Sequence, residues 1–226
     1  MAQHVIPHTL GSDALDEQPV DTTLYSLSDS APKPGDRRDG ERLLTLFRVG
    51  SMLIGNRREL CLIKNISAGG MLIRAYSLLE PGASVSVELK RGEPIAGKVS
   101  WTRDDNAGIA FDTRVDVVAL LTDSMEGPRP RMPRIEVRCI AQLRQDGKVY
   151  GMRARDISQG GVKLESEREL AIGRDVVVTL PGLPPVPGVV RWQEVGCYGV
   201  TFNRLLALTE LVAWLQDQRE LLRAAS

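Results

Sequence analysis

From residue 42 onward the chain runs in short apolar and alternating stretches separated by turn formers, the pattern of strands that bury one face. The stretches cover residues 43–54, 60–66 and 71–74, divided by Gly55-Asn56 and Ala68-Gly69-Gly70. Further strands are expected at 85–89, where Val85-Ser86-Val87-Glu88-Leu89 alternates cleanly, and at 95–101 and 107–111. Residues 115–121 fit a short helix. Gly127-Pro128-Arg129-Pro130-Arg131-Met132-Pro133 follows, and its three prolines suit neither a helix nor a central strand. The same order then returns: strands at 135–143 and 149–157 around Asp146-Gly147, then 162–164, 176–180, 186–192 and 198–202. Residues 205–226 change period. Leu208, Leu211, Val212, Trp214, Leu215 and Leu222 fall close to 3.6-residue spacing without Gly or Pro, which predicts an amphipathic helix.

The recurrence is a measurable repeat. Asn65, Ser67, Gly70, Gly97, Trp101, Gly108 and Phe111 each have a counterpart 91 residues later, namely Asp156, Ser158, Gly161, Gly188, Trp192, Gly199 and Phe202. Six identities and one Asn/Asp exchange at a single offset point to duplication of one β-rich module. The expected organisation is an acidic tail without fixed structure at 1–35, a first domain at 36–122, a Pro-rich linker at 123–133, and a second domain with the terminal helix at 134–226.

Composition refines this picture. Lys plus Arg and Asp plus Glu number 29 each, so no global positive field draws the protein onto nucleic acid or anionic membrane. Charge is nevertheless segregated. Asp13, Asp16, Glu17, Asp21 and Asp29 share residues 1–32 with no Lys or Arg, whereas arginines cluster at 37–42, 57–58 and 129–138. An anion site is expected among those clusters. Cys61, Cys139 and Cys197 are odd in number and unpaired in spacing, which suits a reducing compartment and small buried hydrophobes better than disulfides. No leader pattern opens the chain, and no apolar run approaches the roughly 18 residues needed to span a bilayer. A cytoplasmic location is expected.

Two short segments carry the chemistry. Arg37-Arg38-Asp39-Gly40-Glu41-Arg42 contains RxxxR, and Asn65-Ile66-Ser67-Ala68-Gly69-Gly70 reads [D/N]xSxxG. Guanidiniums form bidentate bonds to phosphate and stack on flat bases. An Asn or Asp with Ser two residues on can exchange hydrogen bonds with a purine edge. The closing glycine permits positive φ or a close backbone approach. In this order, with the following G-x-V-x-W and G-[IV]-x-F strands, both modules resemble PilZ domains over nearly all of 37–112 and 129–203.

That resemblance implies two six-stranded β-barrels in tandem, a mainly β protein, with cyclic di-GMP bound against the outside of a barrel. It places the first site on Arg37, Arg38, Arg42, Asn65, Ser67 and Gly70, with Asn65 standing where Asp is commoner. In the second module Asp156, Ser158 and Gly161 match fully, while the arginine half has two readings. Arg134 and Arg138 satisfy RxxxR literally. Spacing instead sets Arg134, 22 residues before Asp156, against Arg42, 23 before Asn65, and brings in Arg129 and Arg131, leaving Arg138 within the first strand.

The bland alternatives are specific. Arginines at a domain edge are usually solvated, Ser67 and Ser158 taken alone would bond to local backbone in turns, and Trp101 and Trp192 read as barrel core. Asp104-Asp105 fits a hairpin turn. His4 and His8 have metal-like spacing but no further ligands beside them.

Because both histidines lie in the tail, the folded region has no imidazole for a Ser-His-Asp or Cys-His arrangement, and no phosphate loop, dinucleotide fingerprint or metal motif is present. The expectation is a non-enzymatic cyclic di-GMP receptor without cofactor, which changes conformation on ligand binding to regulate a partner process such as motility, adhesion or exopolysaccharide production. The alternative is a protein-interaction scaffold in which one or both modules no longer bind nucleotide. General RNA binding fits less well, for want of an aromatic platform and of net positive charge.

Overall fold

The computed structural model describes residues 44–89, 93–122 and 132–224. Arg37, Arg38, Arg42, Arg129 and Arg131 lie outside the described residues, as do the expected tail and most of the linker.

The chain folds as two closed six-stranded antiparallel barrels. The first comprises β1 (Leu44–Ile54), β2 (Arg57–Ser67), β3 (Gly70–Arg74), β4 (Ser84–Glu88), β5 (Pro94–Arg103) and β6 (Asn106–Phe111), followed by the short helix α1 (Val117–Thr122). The second comprises β7 (Ile135–Gln145), β8 (Lys148–Ser158), β9 (Gly161–Glu165), β10 (Asp175–Thr179), β11 (Val186–Glu194) and β12 (Cys197–Phe202), followed by α2 (Leu208–Ala224). Neighbours run β1-β2-β3-β6-β5-β4 in one barrel and β7-β8-β9-β12-β11-β10 in the other, so each sheet closes without a free edge.

The turn chemistry expected from sequence is present. Asp146 and Gly147 both take positive φ, 49° and 78°, the geometry that matches a tight hairpin to strand twist. Alternating residues fill each barrel: Met52, Ile63, Ile66, Ile73 and Val87 in the first, and Leu143, Met152, Ile157, Leu164 and Val190 in the second, are almost completely buried. Cys61 joins the first core, where burial pushes its thiol up to about 12. Cys139 and Cys197 are only half-buried, a partial correction to their reading as core residues.

The repeat extends to irregularities. Register shifts in the first barrel fall between Thr45 and Arg48, Ile63 and Asn65, and Val99 and Trp101. The second barrel shifts between Glu136 and Cys139, Ala154 and Asp156, and Val190 and Trp192. Each shift recurs at the offset of 91. Loop bonds repeat likewise: Val115 N donates to Ala68 O and Leu206 N to Gln159 O, both at 2.9 Å. These bonds explain why the helices start later than their apolar periodicity suggests. Val115 and Leu206 are pinned to the turns after β2 and β8, and α1 begins only after Asp116, whose Oδ1 accepts from Ala119 N at 3.0 Å as an N-cap.

Helix α2 is amphipathic, burying Leu211, Val212, Trp214 and Leu215. Trp214 Nε1 donates to Pro181 O at 2.7 Å, fastening the helix to the second barrel. Its polar side grips the first. Arg219 Nη1 lies 2.6 Å from Oε1 of Glu59, whose side chain is only 5% exposed, and Gln216 Nε2 donates to Tyr76 O at 2.6 Å. Leu60 on β2 belongs to the second barrel's apolar cluster, so the barrels share packing as well as charge.

Candidate functional site

The shared bulges decide what each barrel presents outward. A bulge inserts one residue and sets two successive side chains on the same face. On β2, Ile63 and Ile66 point inward while Lys64 and Asn65 both stay partly exposed; on β8, Ala154 and Ile157 point inward while Arg155 and Asp156 do the same. Asn65 and Asp156 thus turn to the outer surface.

Directly opposed residues share a face of the sheet. Asn65 pairs with Leu72, Leu72 with Gly108 and Gly108 with Trp101, forming one row across β2, β3, β6 and β5. Asp156, Lys163, Gly199 and Trp192 form the corresponding row. With strands about 4.8 Å apart, each row runs about 14 Å from the Asx residue to the tryptophan.

The glycine in each row makes room for the indole. A Cβ on Gly108 would stand 2.2 Å from Trp101 Nε1, and one on Gly199 would stand 2.0 Å from Trp192 Nε1. Each ring therefore lies across its neighbouring strand on the outside of the barrel. This corrects the reading of Trp101 and Trp192 as core: Trp101 is 46% exposed and Trp192 is half-buried. Val99 and Trp101 have the same parity in sequence, and only the bulge between them turns the ring outward. The signal available in sequence was a glycine at the same place in both following strands.

Ser67 and Ser158 follow their local reading. Ser67 Oγ donates to Gly70 O at 3.2 Å and Ser158 Oγ to Gly161 O at 3.3 Å. Gly70 and Gly161 are absent from the positive-φ glycines. The closing glycine is instead required by strand packing, since a Cβ would fall 2.4 Å from Ile109 O in one barrel and 2.3 Å from Val200 O in the other. Much of [D/N]xSxxG therefore builds the turn between two strands, leaving the Asx side chain as its outward polar group.

In the second barrel the arginine half meets the Asx half. Arg134 Nη1 lies 2.5 Å from Asp156 Oδ1, with both side chains partly exposed. Arg138 stands exposed within β7, at the place Phe47 occupies in the first barrel. Further along the row, Lys163 Nζ sits over the Trp192 ring, 5.8 Å from its centroid.

Arg134 and Asp156 also open into a cleft of about 680 Å³ between the barrels, whose opposite wall includes Ser51, Arg57, Arg58 and Glu88 of the first. Arg58 Nη1 donates to Glu88 Oε2 at 2.5 Å and to Ser51 Oγ at 3.0 Å, and the bond to Glu88 raises its pKa. Arg57 Nε stands 2.7 Å from Glu59 Oε1, at ion-pair distance but without hydrogen-bond alignment. Arg57 therefore touches both the cleft and the carboxylate gripped by α2. Among the described residues no cluster of three potential metal ligands occurs, and no helix is long and apolar enough to cross a membrane.

The PilZ domain family model matches twice, over residues 36–124 and 128–217. No curated protein matches. Among solved structures, the PlzA protein of Borreliella burgdorferi in complex with cyclic di-GMP is similar at 13% identity and TM-score 0.34, covering 73% of this chain and 85% of that one. The inhibitor of motility MotI/DgrA of Bacillus subtilis is similar at 14% identity and TM-score 0.32, covering 80% and 97%. YcgR from Escherichia coli in complex with cyclic di-GMP is similar at 14% identity and TM-score 0.31, covering 80% and 89%.

Proposed function

The chain belongs to the PilZ domain family, and from that premise we propose that it is a non-enzymatic cyclic di-GMP receptor that passes ligand occupancy to a partner protein through the packing of its two barrels. The observation that carries this reading is the contact of Arg134 with Asp156, which joins the two halves of the signature at one end of the outward row. A guanidinium supplies phosphate contacts, the Asx side chain a purine-edge partner, and the exposed indole a stacking face. In the first barrel Arg37, Arg38 and Arg42 would fill the arginine role beside Asn65, and in the second Arg129 and Arg131 would join Arg134. The ligand would be drawn in from solvent, with no cofactor required.

The route to an output follows from the cleft. Phosphates entering beside Arg134 would compete for Arg57 and Arg58, which are held by Glu59 and Glu88. Glu59 is also the anchor of Arg219, so a change at Arg57 bears directly on the grip of α2. The regulated process would be one such as motility, adhesion or exopolysaccharide production.

A scaffold reading of the second barrel has its own support: Trp192 already holds Lys163. Calorimetry of the purified chain with cyclic di-GMP separates the readings. We expect two ligand-binding sites per chain, loss of one with Arg38→Ala plus Arg42→Ala, and loss of the other with Arg134→Ala plus Asp156→Ala. No binding at tens of micromolar ligand overturns the receptor reading. Unchanged stoichiometry in the Arg134/Asp156 variant makes the second barrel a scaffold.

A further inference from the structure

We propose that Lys163 sets the ligand affinity of the second barrel by covering the stacking face of Trp192. The inference rests on the receptor reading above. The two rows are otherwise closely alike: Asx, a variable residue, glycine and tryptophan, in the same register and with bulges at equivalent places. The variable residue is Leu72 in the first barrel and Lys163 in the second.

Position gives Lys163 its leverage. It is paired directly with Asp156 on one side and with Gly199 on the other. Gly199 has no side chain to stand between Lys163 and the indole, and Trp192 lies across it towards β9. The ammonium accordingly sits over the ring. The indole packs against Gly199 while the cation sits over the ring. A guanine base can stack on that ring only after the ammonium has moved away. In the first barrel the corresponding residue is an apolar Leu72, and Trp101 is 46% exposed.

The competing role for a lysine here is to assist binding, as a point charge for a phosphate. The geometry favours obstruction, because the cation occupies the face a base would need and stands beside a carboxylate of opposite sign. An exposed cation–π contact corresponds to about a two- to fivefold change in affinity.

The test exchanges the two residues in the full chain and follows cyclic di-GMP binding by calorimetry, with unfolding midpoints confirming that both barrels remain folded. Lys163→Leu is expected to tighten the second site about two- to fivefold and to leave the first unchanged. Leu72→Lys is expected to weaken the first site by a similar factor. A second site weakened or unaltered by Lys163→Leu overturns the inference while the receptor reading stands. Absence of binding in the wild-type chain and both variants overturns the two together.

Discussion

The two barrels differ little in what builds them and much in what they display. Equivalent bulges, tight glycines and loop hydrogen bonds recur 91 residues apart, whereas the exposed positions between them have changed character. Leu72 faces Lys163 across the repeat, Arg74 faces Glu165, and Asp104 faces Val195. A closed barrel of short strands leaves little freedom where backbones approach within van der Waals distance, and much where a side chain meets water. The helices extend the contrast. The first barrel ends in a six-residue helix, while the second ends in one of 17 residues that packs on its own barrel and holds the other by Glu59 and Tyr76.

The strongest test of the shared scaffold is to add one carbon where two backbones approach closely. Gly70→Ala and Gly161→Ala would each force a Cβ to within 2.4 Å of a carbonyl oxygen on the adjoining strand, where only movement of backbone relieves the clash. A loss of about 3 kcal/mol is expected in either barrel, measured as a lower urea midpoint. Gly108→Ala and Gly199→Ala should cost less, because the atoms they meet belong to indoles at the surface that can swing away. Equal losses at all four positions would break the distinction between a backbone contact and a side-chain one.

The same distinction explains what could be read from sequence. Strand order, hairpin turns and duplication were legible because alternation and turn chemistry are local. Trp101 and Trp192 were not, because a bulge is an agreement between two strands, and parity within β5 or β11 alone places the ring inside. Arg134 stands in both readings of the arginine half, but its contact with Asp156 was not itself legible, since it joins a strand to the segment before the barrel. The grip of α2 on Glu59 was illegible, as it joins residues 160 positions apart that share no motif.

That grip is the point at which the barrels cease to be independent. Arg219→Ala would leave Glu59, whose side chain is 5% exposed, with Arg57 as its remaining ion-pair partner among the described residues. Losing a hydrogen bond to a charged group costs about 1.5–3 kcal/mol, so a decrease of about 2 kcal/mol is expected. The more telling readout is cooperativity. If α2 couples the barrels, wild-type protein should unfold in urea in one transition and the variant in two. A single transition in both would show that the shared apolar contacts around Leu60 suffice.

The smallest expected effect concerns a turn whose first residue takes positive φ in both barrels. Asp104 begins the β5–β6 turn with φ of 51°, and its counterpart Val195 begins the β11–β12 turn with φ of 27°, followed by Gly196 at 70°. Positive φ suits Asn and Asp, whose short polar side chains bond locally, and is an outlier for a β-branched residue. Val195 is 98% exposed, so the second barrel gains no compensating burial from it. Val195→Asn would place Asn-Gly in a two-residue hairpin, the pair such turns favour. The second barrel should gain about 0.5–1 kcal/mol, seen as a higher urea midpoint, and Asp104→Val should lower that of the first by a similar amount. A neutral Val195→Asn would mean that the strain is relieved within the turn itself.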